Sequence, residues 1–428
     1  MTASARPAPG EERPARWGAL SYPQFRRYWI AQIFRVLGLQ FRIIAVPWLV
    51  SVELDRSPIW LGIVSVAAAL PTIILSVPAG VIADRFNDQK VLVVSQAAYA
   101  AVSLALPILI LLDLANIWVV IAWSIASGVF AALGNPAMQS VMPRLIEMRV
   151  MPSAVALNSM VWSAMRIVGP AAAGVLLAVI GTGWAFLVTA IAIGAATVLF
   201  ASVSPRARVA SGVASAHGDD MWTGMRYIMR TPIFLATVGL SFFTSVFGMS
   251  YQFLLPIFAN DILEVGGFGF GMLEAATGVG SVLGTLAIIK LGAGRHAGTA
   301  MVVFAALFGV LIAGFAASRS MPLSMTLLFF AGFTSAVYLN IGMTTLQVLV
   351  PDELRGRVMG VWSMTWFLAS IGALPAGAVA EVVGAPLSVA LGGLAVSAFA
   401  VFVYATAPRL RHVDLGAAEE PEAAASGA

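Results

Sequence analysis

Long apolar stretches, separated by short polar segments, run through almost the whole chain. Cutting the sequence at charged and turn-forming residues leaves twelve stretches, each near the roughly 20 residues that an α-helix needs to cross a bilayer. The first six cover residues 28–52, 58–82, 90–112, 116–138, 153–180 and 184–203. The second six cover residues 233–259, 267–291, 298–317, 322–347, 358–381 and 385–407. The stretches are continuously apolar and show no alternation of apolar with polar residues. They therefore predict membrane-spanning helices rather than the strands of a β-barrel.

The composition supports a chain that lies in a lipid bilayer. Of 428 residues, 60% are hydrophobic and only 10% are charged, whereas a soluble domain carries about 25% charged residues. A soluble globular enzyme is therefore excluded. The absence of cysteine and the presence of only three histidines argue against a metal site, and no cofactor is expected. The net charge of +4 is not gathered into a patch, so a nucleic-acid partner is not expected either.

Lysine and arginine are distributed unequally between the two sides of the predicted membrane. With the N-terminus in the cytoplasm, cytoplasmic segments hold 19 of the 24 basic residues, and the external loops hold only Arg56 and Arg319. Short cytoplasmic loops are enriched in basic residues in membrane proteins generally. The sequence therefore predicts that both termini lie in the cytoplasm.

The chain is predicted to consist of two similar halves. Landmarks recur 208 or 209 positions apart, namely Pro47 and Pro256, Gly62 and Gly271, and the Gln-x-x-x-Pro sequences that begin at Gln139 and Gln347. A duplicated six-helix unit of this kind is typical of transporters whose halves rock against each other. The expected organisation is a cytoplasmic tail, a first bundle, a cytoplasmic linker, a second bundle and a cytoplasmic tail, at residues 1–27, 28–203, 204–232, 233–407 and 408–428.

Two short motifs have a physical role of their own. Gly80, Asp84 and Arg85 end the second stretch, and Lys90 begins the third. An Asp–Arg pair at the membrane surface can cap a helix N-terminus and hold a loop through charge-assisted hydrogen bonds. The fifth stretch contains Gly169, Pro170 and Gly174. Small residues allow close helix packing, and the proline can bend the helix.

These motifs carry a resemblance to a known family. Residues 80–85 resemble the signature loop of the major facilitator superfamily, and residues 169–174 resemble the helix-5 motif of its exporter branches. The pair Leu255-Pro256 and the run 351–358 resemble the bacterial subgroup that includes enterobactin and macrolide exporters. The resemblance extends from about residue 20 to 407. It implies an all-α membrane protein, with twelve transmembrane helices in two pseudo-symmetric six-helix bundles, in the inner membrane of a bacterium.

The resemblance also implies roles for the motif residues. Asp84 would brace the cytoplasmic end of the eleventh helix when the inner gate is shut, and Arg85 and Lys90 would support that contact. The bend at Gly169 and Pro170 would seal one seam between the halves. Many relatives carry Gly-Asp in helix 1, whereas Gly38 is followed here by leucine, so a carboxylate in helix 1 cannot be the proton site.

Four charged residues lie inside the predicted spans. Arg42 lies about 18 Å deep at 1.5 Å per residue, Arg166 has a similar depth, Arg35 is shallower, and Glu274 is the carboxylate well inside a span. Because charge at the bilayer centre costs about 2.5–3.5 kcal/mol, we expect Arg42 and Arg166 to line a water-filled cavity or to pair across it. Arg35 is expected to be structural. Glu274 is either a proton-coupling group or part of an ion pair that locks the halves together.

The estimated depths lead to a specific pairing. Helices 5 and 8 face each other in the resembled fold, so Arg166 and Glu274 are expected to pair in one gating state, and protonation of Glu274 would break the pair. Other residues expected to line the cavity are Gln40, Asn135, Tyr251, Gln252, Tyr338, Asn340 and Trp362. A net positive interior favours an anionic or neutral amphipathic substrate over a cationic one.

The predicted function is that of a monomeric secondary transporter that exports small amphipathic molecules by alternating access. No Walker-type phosphate loop is present, so proton antiport is the expected energy source. A nutrient importer of the same fold is the alternative, although the helix-5 motif favours export. A membrane enzyme would need a cluster of catalytic groups at one depth, and a scaffold would need a signalling domain. Neither is found, because the histidines fall in loops or tails and the linker is short.

Asp84→Asn is expected to weaken closure of the inner gate, because an amide cannot reproduce the charge-assisted contact with helix 11. Export by cells that express this variant should fall below that of the parent chain. Export at the parent rate would show that Asp84 has no gating role.

Overall fold

The computed structural model describes residues 18–206, 218–291, 294 and 296–411. Within these ranges all regular secondary structure is helical, and twelve helices are long and apolar enough to cross a membrane. The twelve helices, α1 to α12, span Pro23–Trp48, Pro58–Arg85, Asp88–Leu111, Ile117–Val141, Met151–Ile180, Thr182–Ala201, Pro232–Ile262, Gly266–Leu291, Ala297–Ala317, Met321–Leu349, Asp352–Val383 and Ala385–Thr406. An additional linker helix, Gly218–Arg230, precedes α7. The expected all-α membrane fold is confirmed.

Several helices are longer than the apolar stretches that predicted them. Helix α1 begins at Pro23 and α11 at Asp352, whereas the apolar stretches begin at residues 28 and 358. Proline is favourable in the first turn of a helix, and acidic residues such as Asp352 and Glu353 are stabilised there by the helix dipole. Hydropathy detects only the part of a helix that lies in the hydrocarbon, so these polar first turns are missed.

The two bundles have the same internal packing. In the first bundle, α2 packs against α4, while α3 packs against α4 and α6. In the second bundle, α8 packs against α10, while α9 packs against α10 and α12. Each of these contacts in one half has its counterpart six helices later. The two pseudo-symmetric six-helix bundles are therefore present as expected.

The turn after the first helix of each half shows the duplication in detail. Helix α1 runs into a π-helical turn at Leu49–Glu53, and α7 contains one at Phe258–Ile262. Asp55 and Glu264 then adopt positive φ angles of 46° and 54°. Both pairs of features are 209 positions apart. Because a positive φ is uncommon for residues other than glycine, the shared conformation indicates a repeated structural unit.

The loops define two ends of the molecule. We call the end that holds the start of α1, the end of α12 and the linker helix the basic side, and the end that holds the turns after α1 and α7 the opposite side. On the basic side, Asp88 is 2% exposed. Its carboxylate accepts hydrogen bonds from Arg144 and, at 3.1 Å, from the Ser140 hydroxyl. This contact fixes the start of α3 to the segment that follows α4.

The linker helix packs against the first turns of α11. A Cβ atom at Gly224 would lie 2.9 Å from the carbonyl oxygen of Arg357, so the two helix backbones touch. Ile228 is 1% exposed and belongs to a small apolar cluster with Val358 and Trp362. The connection between the halves is therefore anchored to the second bundle.

Candidate functional site

A cavity of about 330 Å³ lies between the two halves, near the middle of the helices. Two arginines, Arg42 of α1 and Arg166 of α5, are part of its wall. Several uncharged polar residues also line it: Ser65, Ser124, Ser245, Gln252, Thr365 and Ser370. The rest of the lining is apolar, and no carboxylate is found among these residues. Such a wall can bind a molecule that is partly polar and partly apolar.

Glycines bring α5 and α8 into backbone contact on the opposite side of this cavity. A Cβ atom at Gly174 would lie 2.8 Å from the Cα atom of Gly271, and one at Gly271 would lie 2.5 Å from the carbonyl oxygen of Pro170. Real Cβ atoms essentially never approach other atoms to less than 3.0 Å. Any larger residue at these two positions would therefore push the helices apart. Gly169 and Pro170 are buried in the same region.

The seam between α2 and α11 repeats this arrangement. A Cβ atom at Gly62 would lie 2.5 Å from the Cα atom of Leu374, and one at Gly377 would lie 2.6 Å from the carbonyl oxygen of Pro58. Gly62 precedes Gly271 by 209 positions, and Gly174 precedes Gly377 by 203. The two seams are thus related by the internal duplication, and both close the molecule on the same side.

The α5–α8 contact ends near the middle of the membrane. A Cβ atom at Gly278 would lie 2.5 Å from the carbonyl oxygen of Arg166. In the described ranges, no glycine makes such a contact between the halves closer to the basic side. Arg166 therefore marks the point at which the closed seam ends and the cavity begins.

Toward the basic side the halves diverge. Residues 159, 160 and 162–164 of α5 are exposed on more than one face of the helix. A Cβ atom at Gly80, Gly356 or Gly360 would meet no atom of the described residues within 4 Å. The cavity is closed on the opposite side and open toward the basic side in this conformation.

Glu274 lies on the face of α8 that meets α5. It is three residues after Gly271 and four before Gly278, and this spacing places all three on one helix face. Arg166 and the Tyr251 hydroxyl are close enough to interact electrostatically with its carboxylate. Among the described residues, however, Arg166 and Glu274 form no ion pair within 4.0 Å. The structure thus brings the two charges together without the direct contact expected of one gating state.

Only one of the two related seams carries charge. The position 209 residues before Glu274 is Ser65, and the position 203 residues after Arg166 is Ala369. Both of these uncharged residues line the central cavity. At these matched positions, therefore, only the α5–α8 seam has an arginine and a carboxylate.

The expected cavity residues fall into two groups. Arg42 and Gln252 line the central cavity. Asn340 and Trp362 line a smaller cavity of about 130 Å³ that also touches Arg166. The Asn340 amide donates hydrogen bonds to the Ala336 carbonyl oxygen at 2.7 Å and to the Thr285 hydroxyl at 3.3 Å.

The other predicted lining residues lie outside both cavities. Gln40 is 8% exposed, contacts the Gly169 position and donates to the Met165 carbonyl oxygen at 3.5 Å. Tyr251 and Tyr338 are buried among aromatic rings of the second bundle. Asn135 is half-buried on α4. The side chains of Gln40, Tyr251 and Tyr338 thus meet neighbouring helices, and Asn135 is not among the residues that line either cavity.

Arg35 is bound within the first bundle. Its Nε atom donates to the Gln32 side chain at 2.8 Å, and its guanidinium group lies 5.8 Å from the centre of the Trp162 ring. Gln32 in turn donates to Asn158 of α5 at 3.2 Å. This network holds α1 against α5, which agrees with the structural role expected for Arg35.

The loop motif is only partly described. The α2 backbone continues through Asp84 and Arg85, whose side chains lie outside the described residues. Lys90 is exposed, and its backbone N–H donates to the Asn87 side chain at 3.1 Å. Asn87 therefore caps the N-terminus of α3.

The sequence did not single out the hydroxyl groups that line the central cavity. Serine and threonine are frequent in membrane helices, where they often bond to their own helix, as Ser65 does to the Leu61 carbonyl oxygen at 2.6 Å. Ser124 differs, because its hydroxyl is buried without a hydrogen-bond partner. No signal in the sequence alone distinguishes these two serines.

Comparison with known proteins gives a consistent result. A family model described as "Transmembrane secretion effector" matches residues 14–425. The multidrug efflux pump Tap of Mycolicibacterium fortuitum is 26% identical, over 88% of this chain and 94% of its own. The staphyloferrin A transporter of Staphylococcus aureus is 24% identical over 90% and 94%, and the enterobactin exporter EntS of Shigella boydii is 23% identical over 80% and 82%.

Solved structures show the same fold. The nucleoside transporter NupG aligns with a TM-score of 0.70 at 12% identity, over 89% of this chain and 98% of its own. A bacterial homologue of the human lysosomal transporter Spinster, solved in an inward-facing conformation, aligns with a TM-score of 0.69 at 14% identity, over 94% and 99%.

Gly271→Leu is expected to separate α5 from α8, because its side chain would occupy the position of the α5 backbone. The chain has no cysteine, so one cysteine placed at Leu177, which contacts Gly267 in this seam, reports on the separation. Labelling of this cysteine by a water-soluble maleimide should become faster in the Gly271→Leu background. Gly194→Leu is the control, since a Cβ atom there meets nothing within 4 Å. Equal labelling rates with and without the Gly271→Leu substitution would contradict a closed glycine seam.

Proposed function

The chain belongs to the transmembrane secretion effector family of the major facilitator superfamily, and we propose that it exports small amphipathic molecules by alternating access. The observation that carries this proposal is the central cavity, which is closed by two symmetric seams on one side and open on the other. Rocking of the first bundle against the second would open these seams and close the basic side. The three relatives described above are named as an efflux pump, a transporter and an exporter, which favours export.

The direction of transport depends on the orientation in the membrane. We propose that the basic side faces the cytoplasm of a bacterium, because loops rich in lysine and arginine remain on that side. The conformation described here is then open to the cytoplasm, as an exporter must be to receive its substrate. By the resemblance of its loop motif, Asp84 would help to close this side in the alternate state, with Arg85 and Lys90 in support.

The energy source is proposed to be a proton gradient. Glu274 is a carboxylate well inside a membrane span, and it faces the seam that must open during the cycle. When it is charged, its attraction to Arg166 favours a closed α5–α8 seam, and protonation removes that attraction. In the outward-open state Glu274 would take up a proton from the outside. Loss of that proton to the cytoplasm, after the seam has closed again, would restore the attraction to Arg166 and hold the seam shut while the next substrate binds.

The proposed export is tested by accumulation of a fluorescent amphipathic compound in a bacterial host that lacks its major efflux pumps. Expression of the chain should lower the accumulation, and a protonophore should restore it. Gly271→Leu, which blocks seam closure, provides an inactive control at equal expression. Accumulation that rises with expression would instead identify an importer of the same fold.

Arg166→Glu and Glu274→Arg are each expected to reduce export at least about tenfold, since each leaves an unbalanced pair of like charges in a buried seam. The double variant should recover most of the export, because it restores opposite charges. Glu381→Arg is the control, as Glu381 is an exposed carboxylate near the opposite end of α11. Failure of the double variant to recover, with both single variants inactive and folded, would contradict coupling through this pair.

A further inference from the structure

We propose that Arg42 and Ser124 form an anion-binding subsite in the wall of the central cavity, so that the molecule carried is an amphipathic organic anion. This inference rests on the proposed function for the transport of the bound molecule, but the binding itself does not depend on transport. It goes beyond export of amphipathic molecules in general, because it assigns the charge of the substrate and the residues that hold it.

The first observation is the unmet hydrogen-bonding capacity of Arg42. Its Nε–H group is buried and has no hydrogen-bond partner among the described residues, although Arg42 lies in the wall of the central cavity. Arg35, one heptad earlier on the same helix, bonds to Gln32 through the equivalent atom. A buried N–H of a charged group without a partner costs free energy. A ligand that accepts a hydrogen bond at this point would remove that cost.

The second observation is independent of the first and comes from a different helix. The Ser124 hydroxyl on α4 is also buried, with no hydrogen-bond partner in the part of the chain that the structure describes, and Ser124 lines the same cavity. Most hydroxyl groups in the described membrane helices donate to a carbonyl oxygen of their own helix, as Ser65 does. Ser124 therefore keeps a donor available at the cavity, as Arg42 does.

The charge of the lining determines which kind of ligand fits these donors. Arg42 and Arg166 give the cavity two positive charges, and none of the residues that line it is acidic. Glu274 lies in the seam and does not belong to this lining. Since guanidinium groups bind carboxylates, sulfonates and phosphates through charge-assisted hydrogen bonds, an anion is favoured and a cation is disfavoured.

The remaining wall selects an apolar body of limited size. Val46, Val64, Phe253 and Leu339 line the cavity together with the two arginines, and its volume is about 330 Å³. A bicyclic aromatic group fits within this volume, and its burial would supply most of the affinity. The anionic group would then orient the molecule toward α1 and α4.

The test compares three ligands of the same shape and different charge: 2-naphthoate, 2-naphthamide and 2-naphthylmethylammonium. The cysteine-free chain is purified with a single Ser370→Cys substitution in the cavity wall, and protection of this cysteine from maleimide gives the dissociation constant. We expect 2-naphthoate to bind most tightly and the ammonium compound least tightly. Arg42→Gln should weaken naphthoate binding about 10- to 100-fold, which corresponds to the loss of a charged hydrogen bond, and should leave naphthamide binding nearly unchanged.

Two further variants complete the design. Arg56→Gln removes a basic residue from an external loop and should leave all three dissociation constants unchanged. Ser124→Ala, which is nearly isosteric, should weaken naphthoate binding about tenfold or less and tests the subsite even where Arg42→Gln does not yield folded protein. Naphthoate binding that is no tighter than naphthamide binding, or that is unaffected by both cavity variants, would overturn the proposal.

The results separate the subsite from the proposed function. Naphthoate binding that depends on Arg42, in a protein that exports nothing from cells, would support the subsite and contradict export. Export from cells, without any preference for the anionic probe, would support export and overturn the anion subsite.

Discussion

Contact between helix backbones across the two seams is the constraint on which the rest of the structure depends. In a bilayer, the apolar surface of a helix gains little by leaving lipid, so close packing must hold helices together. Gly62 and Gly271 allow that packing, because each places a backbone where a side chain would otherwise lie. At these glycine positions the halves meet through backbone atoms, so they can separate there without withdrawing a side chain from either bundle. The seams can thus be closely packed and still open.

The location of charge follows from where these seams end. Arg166 lies at the last glycine contact of the α5–α8 seam, at the border between the dry interface and the cavity. A charge at this depth is tolerated because the cavity admits water on the basic side. Glu274 lies one turn inside the seam, where Arg166 and the Tyr251 hydroxyl interact with its carboxylate. Opening the seam would change the surroundings of both charges together, and this is the physical basis of the coupling that we propose.

The helices and the duplication were predictable from the sequence, because both leave a signal that does not depend on packing. A span requires a long apolar run, and a repeat shows as a constant offset. The direction in which a polar side chain points leaves no such signal. Gln40 and Tyr251 were expected in the cavity, but they face neighbouring helices, while Ser124 was not expected there and lines it. Arg42, Arg166 and Glu274 could be singled out from the sequence, because a charged residue inside a membrane span costs free energy and is seldom kept without a role.

The duplicated backbone carries different chemistry in its two halves. Arg42 of α1 corresponds, 209 positions later, to Tyr251, and Glu274 of α8 corresponds to Ser65. Symmetry therefore places an uncharged residue opposite each of these charged ones. Among the residues that line the central cavity, the positive charges come from the first bundle, whereas the carboxylate of the α5–α8 seam comes from the second. In the proposed cycle, a substrate bound to the first bundle would therefore move relative to the carboxylate of the second, so that substrate binding and protonation would act on the same interface.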